Sequence, residues 1–195
     1  MTFRRTRCPH CKGKLEQGQR IHPGCIDGYA EAQAAKVARA EEKKARMAAK
    51  VERAETRRRK EALKTVPDLI KEAQIAFNAF IRERDRQAGH MCISSGRPLD
   101  WSGNAVDAGH YRSTGAASHL RFHEDNCHAQ SKHDNQFLAG NAVDYRIRLV
   151  ARIGLARVEA LEADNQVRKW SRQELIEIRE TYKTKLKQLK EKAKC

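Results

Sequence analysis

The chain has 195 residues, 33% of them charged, with a net charge of +15 when histidine is neutral. Apolar residues make up 39% and aromatics 6%, which allows one modest core with extensions and excludes two large domains. No apolar run reaches the ~18 residues of a membrane span, and a basic surplus of this size points to a polyanionic partner, most simply nucleic acid. The N-terminal "MTFRRTRCPHCKGK" has no apolar stretch of the kind a signal peptide carries, so a cytosolic location is expected. In that reducing setting cysteines read as metal ligands or free thiols before disulfides.

Residues 1–27 form the first region. Cys8, Cys11, His22 and Cys25 follow the pattern C-x2-C-x10-H-x2-C, two ligand pairs that suit a tetrahedral ion gripped by two tight turns. A closed Cys3His set predicts a structural Zn2+. Gly13 and Gly24 are the positions where a positive φ is expected. Arg4, Arg5, Arg7, Lys12 and Lys14 make this a basic finger.

Residues 28–65 read as a helical arm. Tyr29–Lys64 contains neither Gly nor Pro, and as one helix it would extend about 54 Å. Its large apolar residues, Val37, Met47, Val51 and Leu63, are too sparse for a sustained heptad. Twelve Lys/Arg face six acidic residues, and Arg57, Arg58, Arg59 and Lys60 stand together as candidate DNA-phosphate contacts.

Residues 66–160 are expected to hold the central domain. Pro67 suits a first helical turn, and the helix to about Arg86 puts Leu69, Ile70, Ala73, Ala76, Phe77, Phe80 and Ile81 near one face, with Ile75 on its flank. Residues 88–142 are dense in Gly, Ser, Asp and His and read as short strands and loops. Tyr145, Ile147, Leu149, Val150, Ile153 and Leu155 return the chain to helix. Residues 161–195 end in a basic helix that starts at Ser171, where Ser171 and Glu174 form a capping box and Trp170 can staple to Leu175.

The stretch "VDAGHYRSTGAASHLRFHEDNCHAQSKHDNQ" holds five of the eight histidines. "NAVDAGHYR" predicts a strand with Asp107 and Gly109 on one face and His110 on the other. Asn126 lies sixteen residues after His110, and Asn135 nine further. The order of a strand His, a middle Asn and a last residue on a short helix resembles the ββα-metal, or HNH, nuclease fold. That resemblance implies His110 as the base that deprotonates water and Asn126 as the residue that fixes the loop orienting it. It implies Asp107 and Asn135 as ligands of one Mg2+ or Mn2+ on the scissile phosphate. A phosphodiester needs a nucleophile, charge neutralisation and help for the leaving oxygen, and one His with one metal supplies these. His128, on the second short strand, is a further candidate for the metal or the phosphate. His119, His123 and His133 are expected on the surface or behind the ligands.

"FIRERDR" at Phe80–Arg86, "CISSG" at Cys92–Gly96, "DAGHYRST" at Asp107–Thr114, "LRF" at Leu120–Phe122, "NCHAQ" at Asn126–Gln130 and "YRI" at Tyr145–Ile147 resemble the NinG (Rap) recombination proteins of lambdoid phages. The resemblance covers most of the chain. It implies a structure-specific, metal-dependent endodeoxyribonuclease that acts on branched recombination intermediates, D-loops and Holliday junctions, in the host cell cytoplasm. Branched double-stranded DNA is the implied partner, with phage or host recombination proteins and a homodimer as further candidates and no membrane. Arg112 joins the DNA-contact candidates.

The sequence departs from that family at one place. Two C-x2-C pairs usual there, at Cys92–Ser95 and Ser131–Asp134, retain only Cys92. Ser131 capping a helix with Asp134 at its third position would hold the turn by hydrogen bonds instead of zinc. A rival set draws a new zinc site from Cys92, Cys127 and two of His123, His128 and His133. The expected fold is mainly α with a small α+β centre: a zinc-binding segment, a long basic helix and an HNH-like core packed by flanking helices. The competing function is a non-catalytic DNA-binding or recombination accessory protein with a decayed nuclease fold.

Overall fold

The computed structural model describes residues 5–137 and 141–193. Arg4 of the basic finger and residues 138–140 of the central stretch lie outside the described residues. The chain is mainly helical and divides into two compact units, Met1–Leu63 and Lys64–Cys195.

In the first unit a 3-10 turn, Pro23–Cys25, runs into helix α1, Ile26–Leu63. Thirty-eight residues without an interior proline give a rod about 57 Å long. None of its residues is buried, so the sparse Val37, Met47 and Val51 serve no core. Arg59 lies 2.6 Å from Glu55 one turn earlier, an exposed pair of small energetic weight.

In the second unit helix α2 spans Val66–Gln87. Thr65 caps it: the Asp68 N–H donates to Thr65 Oγ1 at 3.3 Å, and the Thr65 N–H donates to Asp68 Oδ2 at 3.0 Å. Leu69, Ala73, Ala76, Phe77, Phe80 and Ile81 are buried, whereas Ile75 faces solvent. Their apolar stripe packs on the C-terminal helix, which runs over Arg172–Lys192 behind the Ser171–Glu174 capping box. Phe77 meets Tyr182 edge-on with centroids 4.8 Å apart, and Leu175 and half-buried Trp170 belong to the same cluster.

Between these two helices in sequence lies the centre. Strands β1, Val106–His110, and β2, Cys127–Ser131, pair antiparallel with Asp107 opposite Gln130, Gly109 opposite His128 and His110 opposite Cys127. Helix α3, Lys132–Phe137, follows β2 directly. Helices α4, Ala142–Ile153, and α5, Leu155–Ala163, meet at Gly154, whose φ of +87° breaks what composition suggests is one helix. The C-terminal helix is thus α6. Tyr145, Leu149, Val158 and Leu161 build a second core with Ile93, Ala117 and Leu120. Ile147, expected with the packing positions, is exposed, because the buried pair on α4 is Tyr145 and Leu149, four apart. Among the described residues no helix is long and apolar enough to cross a membrane.

Phe77 is fully buried where α2, α6 and the hairpin meet, and Ile75 is exposed on the same helix. Phe77→Ala is expected to cost about 3–5 kcal/mol and Ile75→Ala less than about 0.5 kcal/mol, read from denaturant unfolding of both variants.

Candidate functional site

The N-terminal set is built by backbone turns. The Cys8 N–H donates to Gly13 O at 2.8 Å and the Lys12 N–H to Cys8 O at 3.0 Å, which curls Cys8–Cys11 into a knuckle. The left-handed residue of that knuckle is Lys12, φ 64°, not Gly13, and neither Gly13 nor Gly24 has a positive φ. Gly13 is needed for space instead: a Cβ there would lie 3.3 Å from His22 Cε1 and 3.4 Å from Cys11 Sγ.

The ligand atoms of Cys8, Cys11, His22 and Cys25 all lie within 4.8 Å of one another. Tetrahedral zinc–thiolate geometry asks for edges of about 3.7 Å, so the four donors fit the ion. His22 Nε2–H donates to Lys14 O at 3.0 Å, which leaves Nδ1 bare and turned to Cys11 Sγ at 3.2 Å. Burial opposes ionisation of Cys8, but backbone N–H groups, those of His22, Cys11 and His10, draw its thiol down to about 6. Burial and then the neighbouring Cys11 and Cys8 push Cys25 up to about 11. Crowded thiolates of this kind are relieved by a dication at their centre.

The central hairpin brings some predicted residues together and separates others. Asn135 Nδ2 donates to Asp107 Oδ2 at 3.0 Å, and Gln136 Nε2 reaches the same oxygen at 3.3 Å. The pair is joined by hydrogen bonds, with the amide nitrogens turned to the carboxylate; one carboxylate and one amide oxygen are donor types that a hard divalent ion takes alongside water and phosphate. His110 is not beside them. Alternation along β1 turns it to the opposite face, where its ring stacks on Phe77 at 6.1 Å. His128 shares the Asp107 face but is buried, with Nε2–H donating to Asp125 O at 3.1 Å and Nδ1 accepting from Arg84 Nη2 at 3.0 Å. Its ring nitrogens are therefore committed, and its expected place as a metal ligand does not fit. Burial keeps His128 below the ordinary histidine pKa against the pull of Asp85.

Asn126 is fully buried and spans the loop between the strands. Its Oδ1 accepts from Arg112 N at 2.8 Å, while its Nδ2 donates to Arg112 O at 3.0 Å and to Leu120 O at 3.2 Å. The next carbonyl, Arg121 O, accepts from His110 Nε2 at 2.9 Å. A carbonyl can only accept, so Nε2 carries the proton and Nδ1 is the basic atom, 3.7 Å from Cys127 Sγ. Burial holds the His110 pKa below its ordinary value, although the Arg121 carbonyl pulls the other way.

Arg112 does not reach outward. Its guanidinium donates to Leu161 O at 2.8 Å, Asp164 O and Asn165 Oδ1 at 2.8 Å, closing the C-terminal end of α5. Arg57, Arg58, Arg59 and Lys60 are all exposed on α1. His119 is held by Asp164 O at 3.0 Å, and His133 is exposed.

The altered clamp is hydrogen-bonded. Cys92 Sγ–H donates to Asp134 Oδ2 at 3.1 Å, Ser131 N–H donates to Cys92 Sγ at 3.3 Å, and Asp134 N–H donates to Ser131 Oγ at 3.1 Å. Burial would raise the Asp134 pKa, but bonds from Ser95, Cys92 and Ser131 lower it, so the carboxylate stays charged. Among the described residues the Cys/His/acid grouping close enough for a metal is the N-terminal one, and the rival set around Cys92 and Cys127 does not assemble.

Sequence reasoning missed Asp85. It is fully buried in "FIRERDR", 2.7 Å from Arg84 Nε and 3.6 Å from Arg152 Nη1, and its Oδ2 accepts from Ala129 N at 2.7 Å. Burial would raise its pKa, but the bond and charge of Arg84 and the Ala129 N–H hold it well below the usual range. The signal available was an acid inside a run of arginines on an otherwise apolar helix face.

Fold and site together define a mainly helical protein with a Cys3His centre and a hairpin whose connecting loop is tied by a buried asparagine. A family model described as Bacteriophage Lambda NinG protein matches residues 2–192. The ninG protein of Salmonella phage P22 is 47% identical over 135 residues, 68% of this chain and 63% of that protein. The ninG protein of Escherichia phage lambda is 46% identical over 134 residues, 68% of this chain and 62% of that protein. The aligned part is thus less than two thirds of either relative's length. No solved structure matches the chain. The chain belongs to the NinG family of bacteriophage proteins.

The geometry sets a metal prediction. Purified protein should carry about one tightly bound zinc per chain, lost in Cys11→Ser and kept in Cys92→Ser. A second zinc that disappears with Cys92→Ser would show that the hydrogen-bonded clamp is a metal site.

Proposed function

We propose that the chain is a metal-dependent endodeoxyribonuclease acting on branched recombination DNA, such as D-loops and Holliday junctions, with His110 as general base. The observation that carries this reading is the Asn126 tie: it fixes the loop whose Arg121 carbonyl takes the His110 Nε2 proton, which leaves Nδ1 unprotonated beside the Cys127 thiol at 3.7 Å. In the proposed step neutral Nδ1 takes a proton from water. The water oxygen bonds to phosphorus as the bond to the leaving oxygen breaks, and that oxygen takes a proton from solvent. Asp107 and Asn135 would hold Mg2+ or Mn2+, which when bound neutralises phosphate charge. The exposed Arg57–Lys60 run would grip duplex phosphates with little base preference.

A second reading, a non-catalytic DNA-binding or recombination accessory protein, is favoured by one observation. His110 and the Asp107–Asn135 pair face opposite sides of β1. Cleavage assays on labelled branched and linear DNA, with Mg2+, Mn2+ or EDTA, separate the two.

His110→Ala should bind branched DNA like the parent and cut it slower by a factor on the order of 10² or more. Asn135→Ala should lose cutting that returns at raised Mn2+. Exposed His133→Ala should change little. Because burial lowers the His110 pKa, the base is already neutral at pH 7. Cutting should therefore be flat above the ordinary histidine range and fall as pH drops through a value below it. A His110→Ala protein that cuts at the parent rate would hand the assignment to the accessory reading.

Replacing Arg57, Arg58, Arg59 and Lys60 by Gln should weaken binding to every DNA shape. The slope of log K against log salt should flatten by about 0.9 for each phosphate that is no longer neutralised. An unchanged slope would make the arm a spacer.

A further inference from the structure

Of the two tryptophans, Trp170 is wedged into the α2–α6 core and donates Nε1–H to Ser118 O at 3.3 Å. Trp101 belongs to neither core cluster and is half-exposed. It sits on a short turn held from one side: Asp100 Oδ1 accepts from Ser102 N at 2.9 Å and from Ser102 Oγ at 2.6 Å, and Gly103 completes the turn at φ +60°. The turn thus presents the indole outside both core clusters, part of it open to solvent.

That surface opens into a groove of about 290 Å3 between α2, the turn and α6, running up to Val106 at the start of β1. Arg82, Arg86 and Lys190 line it with Asn104. Arg86 is taken by Glu83, 2.5 Å away. Arg82 has no hydrogen-bond or ion-pair partner among the described residues, and Lys190 has no carboxylate within ion-pair distance among them. The groove's own acids are occupied, Glu83 by Arg86 and Gln87 and Asp100 by Ser102. The larger cavity beside Trp170, about 470 Å3, differs in charge: Glu174 and Glu177 line it against Arg168, which already covers the Trp170 ring, whereas Arg82, Arg86 and Lys190 line the Trp101 groove against Glu83 and Asp100.

An aromatic face flanked by unpaired cations is the pattern that grips single-stranded nucleic acid, since every base offers a π-face and every linkage a phosphate. Duplex DNA does not meet it, because its bases are stacked on one another and its convex surface offers only phosphates to a concave groove. Bases without a partner occur at branch points and in displaced strands. We infer that this groove binds an unpaired nucleotide of a DNA single strand, with Trp101 stacked on the base and Arg82 and Lys190 on the flanking phosphates. This deepens the branched-DNA reading, on which it rests, by naming the part of the branch that the protein holds beside β1.

The test is a binding titration of the full chain without added divalent metal, using a short oligothymidylate and a blunt duplex as probes. Tryptophan emission is followed together with affinity. Oligothymidylate should quench a component of the emission that is absent from Trp101→Phe, and Trp101→Ala should bind it about 5- to 150-fold more weakly, the worth of one base–aromatic stack. Affinity for duplex should not move. Arg82→Gln should lower the salt slope on the single strand by about 0.7, the worth of one neutralised phosphate. Equal quenching of Trp101→Phe and parent, or an equal loss on duplex and single strand, overturns the inference. The readout involves no cleavage. A protein that stacks oligothymidylate on Trp101 but cuts nothing loses the nuclease reading and keeps this site; one that cuts branched DNA with Trp101 silent does the reverse.

Discussion

The buried amide of Asn126 is the constraint on which the centre depends. An amide out of water has to spend both its donors and its acceptor, and here the partners are the two backbone groups of Arg112 and the carbonyl of Leu120. The sixteen residues between β1 and β2 would otherwise be a wandering connection. With Asn126 in place the loop has one closure, Arg121 O has one position, and the His110 ring has one tautomer. A residue with no shape of its own to defend thus sets the protonation pattern of a residue sixteen positions away.

Asp85 does for β2 what Asn126 does for the loop. Its carboxylate takes the Ala129 N–H inside the hairpin and is balanced by Arg84 and Arg152, while Arg84 spends further donors on Glu124 O and Cys127 O. A buried charge is tolerated when it is paired and fully bonded, and removing one member of such a group leaves the others exposed to the full desolvation cost. The network therefore specifies position more than it adds stability: it locks the register of α2 against β2. The clamp at Cys92, Ser131 and Asp134 follows the same logic further along the same edge of β2. Gly96 lets the Arg148 guanidinium close over it, where a Cβ would come within 2.7 Å of Nε, and Arg148 binds Ser94 O and Ser95 O. Hydrogen bonds donated by one arginine and accepted by one carboxylate hold the turn.

Much of this was legible from periodicity and spacing. The α2 stripe, the capping box at Ser171, the Cys3His spacing and the facing of Asp107 against His110 all depend on neighbours a few residues apart, where helix and strand geometry dictate the outcome. The capping of α3 by Ser131 was visible for the same reason. What was not legible depends on groups distant in sequence. Arg112 looks like a surface arginine until α5 ends beside it, fifty residues on, with carbonyls in need of donors. His128 looks like a ligand until Arg84 and Asp125 claim its two nitrogens. The left-handed residue of the knuckle fell on Lys12, because the position was fixed by where the chain had to turn back, and its side chain recovers a bond to Pro9 O at 2.9 Å.

The facing of β1 bears on how the centre is used. One face of the hairpin turns Asp107 to the amides of Asn135 and Gln136 on α3; the other carries His110 and Cys127, with His110 against Phe77. A two-residue gap between acid and histidine on an extended strand cannot do otherwise than leave an odd separation, which alternation sends to opposite sides. A single phosphate that touched both groups would have to lie across the strand's end at His110, where pairing stops and the chain enters the Asn126-tied loop. The loop is therefore more than a tether for His110. For the proposed nuclease, room for a backbone phosphate around that end of β1, past the loop tied by Asn126, is what the two readings of the centre turn on.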